Sequence, residues 1–247
     1  MERDYWERIA PDYNTEIFDV LKNDEKGLIV STIKKYSSKE KSVIDIGCAI
    51  GKWLPLLSPA FKKVYAIDIS SANLKIAEKL YPDFKNVEYN RVDMSDSNAK
   101  LKKCDFAICI NAILTASLKK RIIFFNNLNK CVKKEGHLLL VVPSLESSMF
   151  TSIIRHRWNP DKDASSYISK SKNNQQFKNL LHGNAELDNL PTKHYLKEEL
   201  EMLLNKEGFE ATEFKKIEYD WKTEFYKPPR WLINPRPWDW MVLARKK

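Results

Sequence analysis

The chain has 247 residues, the length of one large domain or of a core with an insertion, and 43% are hydrophobic. Forty-two Lys and Arg against 33 Asp and Glu leave a formal charge of +9, carried singly or in pairs such as Lys34–Lys35 and Lys102–Lys103. A field of that sign favours anionic partners, but charges scattered without a long run read first as a solvated surface. Six glycines exclude collagen-like chains and Gly-rich linkers.

Residues 1–40 read as helical, with Ile29, Ile33 and Tyr36 recurring on one face after Asn23–Asp24. From 41 onward short apolar runs alternate with helical patterns. The runs 43–47 (VIDIG), 64–69 (VYAIDI), 104–111 and 137–143 are predicted strands continuous enough to be buried on both faces, and the more polar 86–93 is a further, less marked strand. Between them, Ser70–Ser71 caps a helix bearing Leu74, Ala77 and Tyr81. A second helix carries Leu118, Ile122, Phe125, Leu128 and Val132 and is expected to end at Gly136 as its C-cap. Residues 145–191 are largely polar and read as an insertion. A helix returns at 195–209 with Leu196, Leu200, Leu203 and Leu204, ending before Gly208. Two paired strands follow, 209–221 and 237–247, joined through the Pro-rich 227–237 loop; Trp238, Trp240, Val242 and Ala244 alternate with Asp239, Met241 and Leu243. Strand–helix alternation of this kind predicts an α/β, doubly wound sheet.

Four cysteines form no CxxC pair and lack nearby paired histidines, which argues against a zinc ribbon or redox dithiol, and no metal is expected. Cys104 and Cys109 lie in an apolar stretch and read as buried reduced thiols. The first residues are charged and lack the apolar core of a signal peptide, and the longest apolar run, 138–143, is too short for a membrane span. A cytoplasmic protein is expected.

The informative segment is V-I-D-I-G-C-A-I-G-K-W at 43–53. A strand ends there, small residues follow at 47, 49 and 51, and a helix is expected to begin near Gly51. A nicotinamide-type GxGxxG fails at Ala49 and Lys52, and a phosphate-cradling GxxxxGK[ST] fails at Ile46 and Trp53. The remaining pattern, acid-x-Gly-x-Gly/Ala-x-Gly, is satisfied by Asp45, Gly47, Ala49 and Gly51 and suits a ligand with an amino-acid end.

On these residues the chain resembles the class I S-adenosylmethionine-dependent methyltransferases, over about 5–143 and again over 192–247, with Ala49 in place of the family's middle glycine. The resemblance implies a Rossmann-like seven-stranded sheet, mostly parallel with an antiparallel last strand and helices on both faces. It implies S-adenosylmethionine as cofactor, with S-adenosylhomocysteine as product. Asp68, closing the second strand, would accept the ribose hydroxyls, and Ile69 would pack on the adenine. Asp93 would accept the adenine amino group beside Met94, and Asn111 would face the methionine end. The opening Y-W-E-R-I-A-P-D-Y would be a lid, with Tyr13 covering the cofactor. Domains then follow as a helical lid at 1–40, a core at 41–144 and 192–247, and an insertion at 145–191 capping the substrate site.

In-line methyl transfer asks for alignment more than for a dedicated acid or base, so the catalytic group is the least legible feature. His156, His182 and His194 are candidates, His156 and His194 foremost, while His137 reads as structural. Arg155, Arg157 and Trp158 flank His156 and are candidate substrate contacts for an anionic or aromatic molecule. Ile110-Asn111-Ala112-Ile113 lacks the Asn/Asp-Pro-Pro-aromatic motif of amino-methylating nucleic-acid enzymes, which favours a small-molecule acceptor. RNA methylation through the basic surface and a non-catalytic cofactor-binding partner module are the alternatives. No membrane partner is expected.

Overall fold

The computed structural model describes residues 2–158, 179, 181–187 and 190–247, without the side chains of 156–158 and 186–187. Five strands run parallel: β1 (Ser42–Ile46), β2 (Lys63–Asp68), β3 (Val87–Arg91), β4 (Cys104–Ile110) and β5 (Val132–Pro143). A small antiparallel pair, β6 (Asn184–Leu187) and β7 (Leu190–Lys193), stands apart from the main sheet. The last two strands, β8 (Phe209–Glu218) and β9 (Trp238–Lys246), complete seven in the order β3-β2-β1-β4-β5-β9-β8, with β9 antiparallel to both neighbours.

The continuous apolar strands are explained by what covers them. Ile44, Ile46, Ala107, Cys109, Leu138, Leu140, Trp240 and Val242 face one core, and Val43, Phe106, Ile108, Leu139, Val141, Met241 and Leu243 face the other. The first core receives Phe125 and Leu128 of α7 (Leu118–Cys131) and Leu200 and Leu204 of α9 (Lys197–Lys206). The second receives Ile29 and Ile33 of α4 (Leu28–Tyr36), Leu54 and Leu57 of the one-turn α5 (Leu54–Leu57) and Leu74 of α6 (Ser71–Leu80). The apolar residues of these central strands therefore lose water on whichever face they lie. Strand order reverses between β1 and β4, and the crevice outside their C-terminal ends is where ligands of such sheets sit.

The N-terminal stretch is broken into α1 (Arg3–Ile9), a 3-10 turn, α2 (Tyr13–Glu16) and α3 (Val20–Asn23). It is tied down by Glu7, whose carboxylate accepts Ser71 N–H and Ala72 N–H at 2.9 Å each and the Ser70 hydroxyl at 3.1 Å. A carboxylate at a helix N-terminus satisfies amides that have no partner within the helix.

Four expectations are corrected. Gly136 does not cap α7, which runs straight into β5; it lies inside that strand, where a Cβ would sit 2.9 Å from the Asp105 carbonyl. The pairing passes there from Cys104–Val132 to Phe106–His137, so the glycine serves a bulge. Leu118 and Ile122 are exposed, because the buried residues of α7 are Arg121, Phe124, Phe125, Asn127, Leu128 and Cys131. Arg121 can be inside because its guanidinium donates to the carbonyls of Thr115 and Ala116 at 3.0 and 2.7 Å. The helix after the glycine turn starts at Leu54, later than the spacing suggests. Finally, the segment read as a polar insertion opens with the helix α8 (Leu145–Trp158). Among the described residues no helix is long and apolar enough to cross a membrane.

Candidate active site

A cavity of about 920 Å³ opens at the C-terminal ends of β1, β4 and β5, between them, α8 and the N-terminal helices. Its first wall is the turn after β1. Gly47 has φ +74°, and a Cβ there would lie 2.4 Å from the Cβ of Ala112, so only glycine fits. Ala49 takes a left-handed φ of +47°, an uncommon conformation that its surroundings must enforce. The enforcing contact is Asp68, whose Oδ2 accepts the Ala49 N–H at 2.9 Å while Oδ1 accepts the Ser70 N–H at 2.8 Å and Asn73 Nδ2 at 3.5 Å. Burial raises the pKa of Asp68, and these donors oppose it.

Tyr13, Gly47, Ala49, Asp68, Ile69, Asp93, Met94 and Asn111 all line the cavity. The ammonium of Lys52 lies 5.6 Å from the Tyr13 ring centre. Asp93 is turned toward its own loop, accepting Ser95 N–H and Oγ at 2.7 and 2.6 Å. Asp45 and Gly51 stand behind the turn and are not part of the lining. Asp45 is buried, with Oδ2 lacking a partner among the described residues. Burial, and then the Asp68 charge, push its pKa up to about 8. A Cβ on Gly51 would meet Leu54 at 2.7 Å and Ala77 at 3.2 Å, so this glycine lets the turn rest on the α6 side.

The second wall holds a polar cluster in which Asn111, an expected site residue, meets two residues that were not expected there, Asp239 and Tyr219. Asn111, at the end of β4 with φ +48°, donates from Nδ2 to Asp239 Oδ2 at 3.0 Å. The hydroxyl of Tyr219 donates to the same oxygen at 2.8 Å. Burial raises the Asp239 pKa, and those two donors lower it. Asn111 Oδ1 is buried with no partner among the described residues. Nearby, Arg155 Nη2 donates to the carbonyl and carboxylate of Glu224 at 3.1 and 3.2 Å. Burial raises the Glu224 pKa against the pull of that guanidinium. His194 lines the cavity with Nδ1 at 3.0 Å from the Thr192 carbonyl, and burial lowers its pKa. The side chains of His156, Arg157 and Trp158 lie outside the described residues. His182 is exposed and lies outside the lining; its carbonyl receives Lys193 Nζ. Asp239 was legible only as an acid sharing the parity of Met241 and Leu243, a charge on an inward face of a buried strand.

A methyltransferase domain family model matches residues 21–213. The chain belongs to that family. The probable S-adenosylmethionine-dependent methyltransferase CRG1 of Saccharomyces cerevisiae is 26% identical over 166 residues, 64% of this chain and 55% of that protein. The chain thus spans about half the length of that curated relative. Among solved structures, the N-methyltransferase NodS from Bradyrhizobium japonicum, with bound S-adenosyl-L-homocysteine, shares the fold at a TM-score of 0.63 and 13% identity, over 99% of this chain and 97% of that one. Magnesium protoporphyrin IX methyltransferase from Synechocystis matches at 0.58 and 14%, over 99% and 98%. The sheet has the class I methyltransferase architecture, and the relatives just described are named with S-adenosylmethionine or its product S-adenosylhomocysteine. The first wall fits that group: Asp68 keeps acceptor capacity on Oδ2, and the Gly47–Ala49 turn brings backbone to the cavity surface.

Proposed function

We propose that this methyltransferase moves the methyl group of S-adenosylmethionine onto a nucleophile of a small-molecule acceptor. The observation that carries the reading is the depth of the cavity, which continues past the first wall to Asn111, Asp239, Tyr219 and the Ser147–Thr151 face of α8. At about 920 Å³ it is in the range of sites that enclose small ligands. Its cations also speak against RNA: Lys52, Lys120 and Arg155 are the Lys and Arg among the described lining residues, and each is already paired, with Asp19, Glu2 and Glu224. Neutralised cations have little counterion to release on meeting a phosphate backbone.

The bound cofactor supplies an electrophilic methyl on a sulfonium. In this reading the turn at Gly47–Ala49 holds its amino-acid end and Asp68 its ribose hydroxyls, with Ile69 and Met94 against the adenine and Asp93 near its amino group. Tyr13 covers it from the N-terminal helices. Asp45 and Gly51 shape the turn from behind. The protein's work is alignment in a site closed to water, since charge is dispersed as the methyl leaves sulfur.

Calorimetry with S-adenosylhomocysteine, followed by incubation of the protein with labelled S-adenosylmethionine and a fractionated extract, tests this. Micromolar binding and label in the low-mass fraction are expected. No binding, or label in RNA with a steep loss on adding salt, overturns the reading.

A further inference from the structure

Resting on that reading, we infer that the acceptor is an amine, received as its ammonium by the carboxylate of Asp239 with Tyr219 and Asn111 holding that carboxylate in place. Three observations carry it. The first is position. Asp239, the second residue of β9, lies opposite Pro143 at the mouth of the sheet, and one hydrogen bond joins it to Asn111. The next residue, Ala112, is the one that packs on Gly47, so Asp239 stands one side chain away from the turn of the first wall.

The second is charge. The three lining cations among the described residues are each spent on a carboxylate, whereas Asp239 has no cationic partner among the described residues. A chain of net charge +9 thus presents a net acidic interior to whatever enters. A carboxylate taken from water without a counter-charge is costly, and a cation from the ligand removes that cost.

The third is the donor set. Tyr219 and Asn111 both give their hydrogen to Oδ2, so the second oxygen of Asp239 is left for the ligand, and Asn111 Oδ1 is a further acceptor without a donor. Acceptors without donors ask for N–H groups, and an ammonium has three. A carboxylate substrate would be repelled here.

The transfer then balances simply. The bound ammonium gives one proton to the Asp239 carboxylate, which becomes a carboxylic acid. The freed nitrogen lone pair forms the N–C bond while the C–S pair withdraws onto sulfur, giving a methylammonium and a neutral thioether. The proton on Asp239 leaves to water when the cavity opens.

The test uses the intact chain saturated with S-adenosylhomocysteine and titrated with primary amines of graded size, from butylamine through 2-phenylethylamine to tryptamine. Each amine is paired with its alcohol and carboxylate counterparts. At least one amine is expected to bind about tenfold or more tightly than both its counterparts, the size of effect a charge-assisted hydrogen bond gives. Asp239→Asn is expected to erase that preference while leaving S-adenosylhomocysteine affinity within about threefold. Tyr219→Phe, which keeps the charge, is expected to retain it. No preference for any amine in the unaltered protein overturns the inference, as does a preference that survives Asp239→Asn. Failure of S-adenosylhomocysteine to bind the unaltered protein would instead overturn the methyltransferase reading of the cavity.

Discussion

The carboxylate of Asp68 accepts the backbone N–H of Ala49 at 2.9 Å, so the end of β2 holds the left-handed turn after β1 in shape. The residue proposed to bind ribose is thereby also the residue that sets the opposite side of the same pocket. Asp68→Ala is expected to lower S-adenosylhomocysteine affinity at least tenfold and to destabilise the fold by about 1–3 kcal/mol, as the amides of Ala49 and Ser70 lose their acceptor. Calorimetry and thermal melting read the two effects separately. Affinity within twofold of the parent would remove Asp68 from the site.

Gly47→Ala is expected to fail for two reasons, a φ of +74° and a contact of 2.4 Å with the Ala112 Cβ. Adding Ala112→Gly relieves the contact but leaves the backbone strain. The double variant should recover part of the stability lost by the single one, leaving a deficit of about 1 kcal/mol. Full recovery in a urea titration would show that the backbone conformation does not matter.

Glu7 is held at a pKa of about 2: burial pushes it up, but donors from Ala72, Ser71, Ser70 and Arg3 outweigh that. A carboxylate depressed in the folded state stabilises above its unfolded pKa, and the contribution fades as pH falls from about 4.5 toward 2. Glu7→Gln should therefore cost about 1 kcal/mol at pH 7, a typical value for a lost helix cap, and much less at pH 3. Melting curves at the two pH values test this; an equal loss at both would mean that Glu7 acts through packing alone.

Asp45 has the opposite sign. Its folded pKa of about 8, raised by burial and then by Asp68, lies above its ordinary 3.8. The unfolded chain ionises first, so stability drains away as pH rises between those values. In Asp45→Asn that drain is absent. The melting temperature of the variant relative to the parent should rise from pH 4.5 to pH 7.5, and a flat difference would refute it.

How much of this could be read from the chain depended on the distance over which each feature is decided. The glycine turn and Asp68 were legible because strand formers, small residues and an acid follow one another within a few positions. Gly136 misled because a helix that passes into a strand without a loop leaves no break, and glycine then looks like punctuation. The helix α8 was hidden because its buried face includes Ser147 and Thr151, and Ser147 Oγ accepts the Trp238 N–H at 2.8 Å. Asp239 meets Asn111 across 128 residues, and no local pattern reports a contact of that span.

The reversed direction of β9 has an architectural result. In a sheet whose strands all ran alike, every strand would reach the ligand rim with its last residue and retreat with its first. Here one strand arrives backwards, so Asp239, near its beginning, shares the rim with Asn111, which follows the end of β4. The chain entering β9 crosses the rim too, bringing Thr223, Glu224 and Pro237 to the cavity. In the proposed reading the donor side of the cavity is thus written in the first half of the chain and much of the acceptor side in its last tenth. A handful of substitutions in that tail can redraw what the pocket accepts while the turn at Gly47 and the carboxylate of Asp68 stay untouched.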